Sequence, residues 1–147
     1  MNRYLFSTLF AFFALFNPLQ ATTNKSKTWF EYAQNDLKSA VVLNDAHIVG
    51  YALYHIEQAT EKALKAYLIA TDTTFALTHD LVPLLNSCCK NDCDFQQFSA
   101  DIKEINPFSI KSRYPNNSYV EPTQVTVKSL IARAATILKF VAQKMSN

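Results

Sequence analysis

Residues 54–68 read YHIEQATEKALKAYL, and their apolar and polar side chains separate cleanly when the stretch forms a helix. At about 100° per residue, small and apolar residues fall on one side and polar residues on the other. The apolar side comprises Leu53, Ile56, Thr60, Ala63, Leu64 and Tyr67. The polar side comprises His55, Gln58, Lys62 and Lys65, with Glu61 beside them. This order predicts a long helix with one face in the core and one ionic face.

The remainder of the chain is also typical of helices. Its 147 residues include one glycine, Gly50, whereas hairpins usually need several. This length fits one domain with one core. The sequence therefore predicts an all-α fold, an up-and-down bundle of about five helices. The predicted helices span residues 28–44, 48–70, 80–88, 95–105 and 123–145, with Thr78 as the N-cap of the third and a proline-containing loop over 106–122.

The first 21 residues have the layout of a secretory signal peptide. A positive charge at Arg3 precedes an apolar run over residues 4–16, and Pro18 breaks the pattern before Ala21. The run is shorter than the roughly 20 residues of a spanning helix, so no stable membrane anchor is expected. The alternative is a hydrophobic extension on a cytosolic domain. Residues 22–147 then form the single domain, and its compartment stays open between periplasmic or secreted and cytoplasmic.

Charge and cysteine content restrict the function only weakly. The net charge of +2 and the pI near 8.4 are too mild to predict a dense basic stripe for nucleic acid. Cys88, Cys89 and Cys93 are predicted to be unpaired thiols near a helix end. A disulfide from Cys88 or Cys89 to Cys93 is the second interpretation. A metal site comes last, because no Cys-x-x-Cys pair is present, and no metal or cofactor is expected.

Four segments, in this order, resemble the HEPN family (higher eukaryotes and prokaryotes nucleotide-binding). They are WFEYAQNDL at 29–37, QATEKALKA at 58–66, THDL at 78–81 and RYP at 113–115. The resemblance covers about residues 28–145. It implies an all-helical bundle, commonly a homodimer, that binds a nucleotide or RNA. It also implies a small nucleotidyltransferase as a partner, as in toxin–antitoxin pairs.

Some members of that family are metal-independent ribonucleases with a histidine four to six residues after an arginine. This chain has no such pair: its arginines are at positions 3, 113 and 133, and its histidines at 47, 55 and 79. Ribonuclease chemistry needs an acid or base near neutrality and a cation for the developing phosphorane charge. No catalytic residue is therefore predicted, and a ribonuclease toxin is the weakest interpretation.

A binding site requires no such chemistry. Lys62 and Lys65, joined by Gln58 and Arg113, are expected to hold a phosphate through charge-assisted hydrogen bonds. The predicted site also includes Glu61, His79 and Tyr114, the last stacking on a base. The alternative is an i,i+4 ion pair between Glu61 and Lys65 on a solvated face, with His79 in a packing role. Asp36 and Glu57 are expected to be surface charges, and Trp29 a core residue.

The sequence thus predicts a non-catalytic HEPN-like module that binds a nucleotide or RNA, or pairs with a nucleotidyltransferase-type partner. The alternative is an exported helical interaction protein that dimerises through its last helix and binds no nucleotide. Export conflicts with nucleotide binding, because little ATP or RNA is present outside the cytoplasm.

Overall fold

The structure is a computed structural model that describes residues 18–111 and 120–146, and the side chains of residues 22–110 and 120–146. This part of the chain contains six α-helices, one 3₁₀ helix and no strand, which confirms the all-α prediction. None of its helices is both long and apolar enough to cross a lipid bilayer. The α-helices are α1 (Pro18–Asp45), α2 (Val49–Ala70), α3 (Leu81–Asn91), α4 (Ser99–Ile105), α5 (Phe108–Lys111) and α6 (Gln124–Ser146).

Helix α2 is the central element of the bundle, with α1 and α6 packed against it. All six residues of its predicted apolar side are buried, as expected. Its polar side is covered too, since Glu57, Glu61 and Lys65 are buried. The alternative of a solvated face is therefore wrong for Glu61 and Lys65, because α1 lies over part of that side.

Helix α1 begins at Pro18, ten residues before the predicted start. Proline is well tolerated in the first turn of a helix, and residues 22–27 contain no glycine or proline that would end it. Lys25 and Trp29 therefore lie on the same helix, four residues apart and on one face. Ala33 and Ala40 of α1 are buried, whereas Val41 is exposed.

Asp80 caps α3. Its Oδ1 accepts the backbone N–H of Val82 at 2.9 Å, so the predicted N-cap at Thr78 is two residues too early. The Thr78 hydroxyl instead accepts the N–H of Asp80 at 3.0 Å. These two contacts fix the segment between α2 and α3 where it enters α3.

The predicted fourth helix is two elements, a 3₁₀ helix over Cys93–Phe98 followed by α4. Phe98, Ile102 and Ile105 of this segment are buried. The predicted loop over 106–122 includes the short helix α5. Helix α6 begins and ends one residue later than predicted. Its buried residues are Val127, Leu130, Ala134, Ile137, Leu138 and Val141, and the expected core residue Ile131 is only partly buried.

Candidate functional site

Five of the seven predicted site residues lie together in the structure. Gln58, Glu61, Lys62 and Lys65 lie on α2, and His79 contacts Glu61 from the segment before α3. Arg113 and Tyr114 are outside the described residues. The five side chains form one hydrogen-bonded network, which we call the α2 network, and it extends to Asp36 of α1 and to His55 and Glu57 of α2.

The carboxylate of Glu61 is the centre of the α2 network. Its Oε1 accepts from Lys65 Nζ at 2.6 Å, and its Oε2 accepts from Gln58 Nε2 at 3.2 Å. His79 Nδ1 lies 3.1 Å from Oε2. Because an ionised carboxylate only accepts, the Nδ1–H tautomer of His79 donates here. The exposed fractions are 4% for Glu61 and 8% for Lys65, so the pair is buried and the solvated-face interpretation is wrong.

The other end of the α2 network joins α2 to α1 through Asp36. Lys62 Nζ donates to Asp36 Oδ2 and, at 3.1 Å, to Gln58 Oε1. The second oxygen of Asp36 lies 2.8 Å from His55 Nδ1. Asp36 is only 15% exposed, and Glu57 is fully buried. Neither residue is the surface charge that the sequence predicted, because each faces a neighbouring polar side chain.

The charges of the α2 network nearly cancel. The network contains three carboxylates and two ammonium groups. Lys62 contacts Asp36, Lys65 contacts Glu61, and Glu57 accepts from the Gln58 amide. With both histidines neutral the balance is one negative charge. Lys62 and Lys65, which were predicted to hold a phosphate, thus each already contact a carboxylate. This contact lowers their net attraction for a phosphate and leaves only the remaining N–H donors of each ammonium for a ligand.

A cavity of about 350 Å³ lies beside one end of the α2 network. Lys65 lines it from α2, and Lys25 and Trp29 line it from α1. Lys65 Nζ lies 5.7 Å from the centroid of the Trp29 ring, within the range of a cation–π contact. Trp29 is therefore half-buried at a cavity wall, not a core residue as predicted. The sequence did not predict this cavity, because the first helix was expected to begin after Lys25.

The cysteine cluster lies at the end of α3 and shares no hydrogen bond with the side chains of the α2 network. Cys88, Cys89 and Cys93 are free thiols, and burial raises the pKa of Cys88 strongly. Ligand atoms of Asp92, Cys93 and Asp94 come within 4.8 Å of one another. The Lys144 ammonium, however, contacts the Asp92 and Asp94 carboxylates at 2.6 and 2.8 Å. The charge that a metal ion would neutralise is thus already balanced.

Arg133, the arginine among the described residues, does not line the cavity. Its Nη1 lies 2.7 Å from Asp101 and 3.4 Å from Glu104, so it joins α6 to α4. Within the described residues, therefore, no arginine contacts His79 or His55.

Comparisons with known proteins place the chain in one family. The family model for the HEPN domain matches residues 26–145. The crystal structure of TT1696 from Thermus thermophilus is similar, with 25% sequence identity and a TM-score of 0.71 over 82% of this chain and 98% of that one. ST0689, an archaeal HEPN homologue, has the same fold, with 21% identity and a TM-score of 0.64 over 82% of this chain and 97% of its own. A search of the curated proteins found no match. The resemblance over residues 28–145 is thereby confirmed, and the chain belongs to the HEPN family.

Proposed function

We propose that this chain is a non-catalytic HEPN module that binds a nucleotide, or a terminal nucleotide of RNA, in the cavity between α1 and α2. The observation that supports this is the position of Lys65, a predicted site residue that both belongs to the α2 network and lines the cavity. The cavity volume of about 350 Å³ falls within the usual range for small-molecule sites.

The lining of the cavity suits the two parts of a nucleotide. Lys25 lines the cavity and forms no salt bridge among the described residues, so its positive charge is available to a phosphate. An ammonium has three N–H donors, and Glu61 accepts one from Lys65. Base stacking on an aromatic ring stabilises binding by roughly 1–3 kcal/mol, and Trp29 provides such a ring.

The non-catalytic part of the proposal rests on the sequence motif and on the contacts of His79. No arginine precedes a histidine at the ribonuclease spacing. His79 donates to Glu61, and its side chain is 81% exposed rather than enclosed with a cation. General acid–base catalysis needs the titrating group close to the reacting atoms, which a largely exposed imidazole does not ensure.

Isothermal titration calorimetry with ribonucleoside 5′-monophosphates tests the binding site. Lys25→Gln should weaken binding about tenfold, since a hydrogen bond to a charged group contributes about 1.5–3 kcal/mol. Lys38→Gln is the matched control, because Lys38 is exposed on α1 and does not line the cavity. No binding by the wild type, or equal effects of the two variants, would overturn the proposal. Cleavage of labelled RNA by the wild type would overturn its non-catalytic part.

A protein partner is the second candidate, and an exposed apolar corner favours it. Val42, Ile48 and Tyr51 flank the α1–α2 turn and are 67%, 45% and 64% exposed. Gln124 Nε2 donates to Asn44 O at 2.6 Å and brings the start of α6 to the same corner. Clustered exposed apolar residues commonly mark an interaction site. A nucleotidyltransferase-type protein or a second copy of this chain is the proposed partner.

Light scattering tests the second-copy version of this candidate. The wild type should have the mass of a homodimer, and Val42→Ser with Tyr51→Ser should reduce it towards the 16.7 kDa of one chain. A monomeric wild type would leave only the nucleotidyltransferase-type partner, which is tested by co-purification of the two proteins. If the double variant still forms the homodimer and still binds the nucleotidyltransferase-type partner, the corner at the α1–α2 turn is not the interface.

The compartment decides between these candidates and the export alternative. The predicted cleavage point after Ala21 lies inside α1, and residues 1–17 are outside the described residues. Cleavage there would create a new α-ammonium group at Thr22, which lines the cavity. Native protein that begins at Thr22, determined by N-terminal sequencing, would support export. An intact or internally started N-terminus would support the cytoplasmic nucleotide-binding module.

A further inference from the structure

One acidic side chain, Asp72, is among the described residues that line the cavity. It follows the end of α2 and faces the same space as Lys25, Lys65 and Trp29. A carboxylate opposes binding of a phosphate in its immediate vicinity and favours hydrogen-bond donors there. The two lysines that line the same cavity favour an anion.

The turn that carries Asp72 is held firmly. Asp72 has a positive φ of 51°, a conformation that Asp adopts more readily than most residues. Its N–H donates to Ile69 O at 3.1 Å, and the next N–H, of Thr73, donates to Leu68 O at 2.8 Å. Asn91 of α3 donates to the Thr73 hydroxyl at 2.5 Å and to that of Thr71 at 3.1 Å. The backbone of Asp72 is therefore fixed before any ligand arrives.

We infer that the ligand of this cavity is a free ribonucleoside 5′-phosphate whose 2′- and 3′-hydroxyl groups donate to the Asp72 carboxylate. The inference rests on the proposed function and deepens it. A ribose diol offers two adjacent donors, and a carboxylate offers two acceptor oxygens. The phosphate then lies at Lys25 and Lys65, and the base lies on Trp29. In the dinucleotide sites of other folds, the carboxylate of an acidic residue likewise accepts a hydrogen bond from a ribose hydroxyl.

This assignment separates a nucleotide with a free 3′-hydroxyl from the internal nucleotides of an RNA chain. In RNA, every 3′-hydroxyl except the last is esterified to a phosphate, which removes one donor and places a negative charge near Asp72. The negative charge of that phosphate and the negative charge of the Asp72 carboxylate repel each other. Internal nucleotides of RNA are therefore excluded, and so is any ribonucleotide that carries a 3′-phosphate.

Calorimetric titration of the full chain with four matched nucleotides tests the inference. The probes are the ribonucleoside 5′-monophosphate, its 2′-deoxy analogue, its 3′-deoxy analogue and the 3′,5′-bisphosphate. Each deoxy analogue should bind about tenfold more weakly, and the bisphosphate at least as weakly, because each loses a hydrogen bond to a charged group. Asp72→Asn should remove the discrimination against the bisphosphate. Asp45→Asn, an exposed acid at the far end of α1, is the control and should leave it unchanged.

The outcomes separate the two proposals. If the wild type binds all four probes equally, or if Asp72→Asn leaves the discrimination intact, this inference is overturned and the nucleotide site stands. If no probe binds, the proposed function fails and this inference fails with it. Circular dichroism of Asp72→Asn shows whether α2 keeps its helical content, and Asn91→Ala, which releases the turn without altering the carboxylate, should also weaken the discrimination.

Discussion

Lys65 donates to Glu61 one helical turn before it on α2, with 2.6 Å between Nζ and Oε1, and both side chains are almost completely removed from solvent. An exposed i,i+4 pair of this kind stabilises a helix by only a few tenths of a kcal/mol. Burial changes the consequence of breaking it, because the residue left behind is a charge without a counterion in a medium of low polarity.

Replacing one member of this pair should therefore be costly. Lys65→Met should lower the free energy of unfolding by about 3 kcal/mol, since it leaves the buried Glu61 carboxylate with only neutral donors. The double variant with Glu61→Gln should recover part of that loss. Urea unfolding of the four proteins in this cycle measures the coupling. Strict additivity, or a loss no larger than that of the exposed control Lys38→Met, would contradict the buried pair.

The pair of Lys144 with Asp92 should make stability depend on pH in acid. The hydrogen bond from Lys144 lowers the pKa of Asp92 below its ordinary value, and the bonds to Asp92 and Asp94 raise the pKa of Lys144. A lowered carboxyl pKa contributes stability above the unfolded value, about 3.9, and that contribution disappears as the pH falls through the folded value. The contribution of Lys144 is lost only in strong alkali.

The melting temperature of Lys144→Gln should therefore be lower than that of the wild type by a constant amount from about pH 5 to about pH 9. The difference should shrink as the pH falls below about 4, the unfolded pKa of an aspartate. Lys139→Gln, an exposed neighbour on α6, is the control. A difference that grows in acid would contradict the assigned ion pair.

The three thiols should react in order of exposure. Cys93 is exposed, Cys89 is intermediate, and Cys88 is buried, where burial also raises its pKa. Because the thiolate is the reactive form, Cys88 should resist iodoacetamide until the protein unfolds. Mass spectrometry of peptides after timed alkylation should show Cys93 modified first. Native alkylation of Cys88 at a rate close to that of Cys93 would contradict the packing of α3 against α2.

Capping of α3 should depend on Asp80. Asp80→Ala should reduce stability by about 1 kcal/mol, because the N–H of Val82 loses its acceptor. Asp80→Asn keeps an acceptor oxygen and should retain most of the stability. Thermal unfolding of both variants measures the difference. Equal losses would mean that the negative charge, rather than the capping hydrogen bond, is responsible.

The helices and their buried stripes were largely predictable because the 3.6-residue period of apolar residues reflects burial directly. This held for α2, α6 and the core of α4. Helix α1 was predicted too short because Pro18 was interpreted as a break. The first turn of a helix accepts proline, and α1 begins there. That error also hid the cavity, since Lys25 then had no helix in common with Trp29.

The candidate site was predictable in its residue types but not in its surroundings. A helical pattern shows that Glu61 and Lys65 share a side, yet it cannot show what lies over that side. The covering residues come from α1, and Asp36, the residue that binds Lys62, looked like a surface charge on its own helix. The packing of α1 on α2 decides which of these polar side chains are buried. The sequence of either helix alone does not show how the two pack.

The α2 network also fixes how α2 is placed along α1. A slip of one helical turn, about 5.4 Å, would leave much of the apolar contact in place, since small and branched apolar residues recur along both helices. It would separate Lys62 from Asp36 and carry Lys65 away from Trp29, leaving buried charges without partners. Apolar packing alone would allow several registers of α2 along α1, and the polar side chains select one of them. This register also keeps the two helices that line the cavity in place.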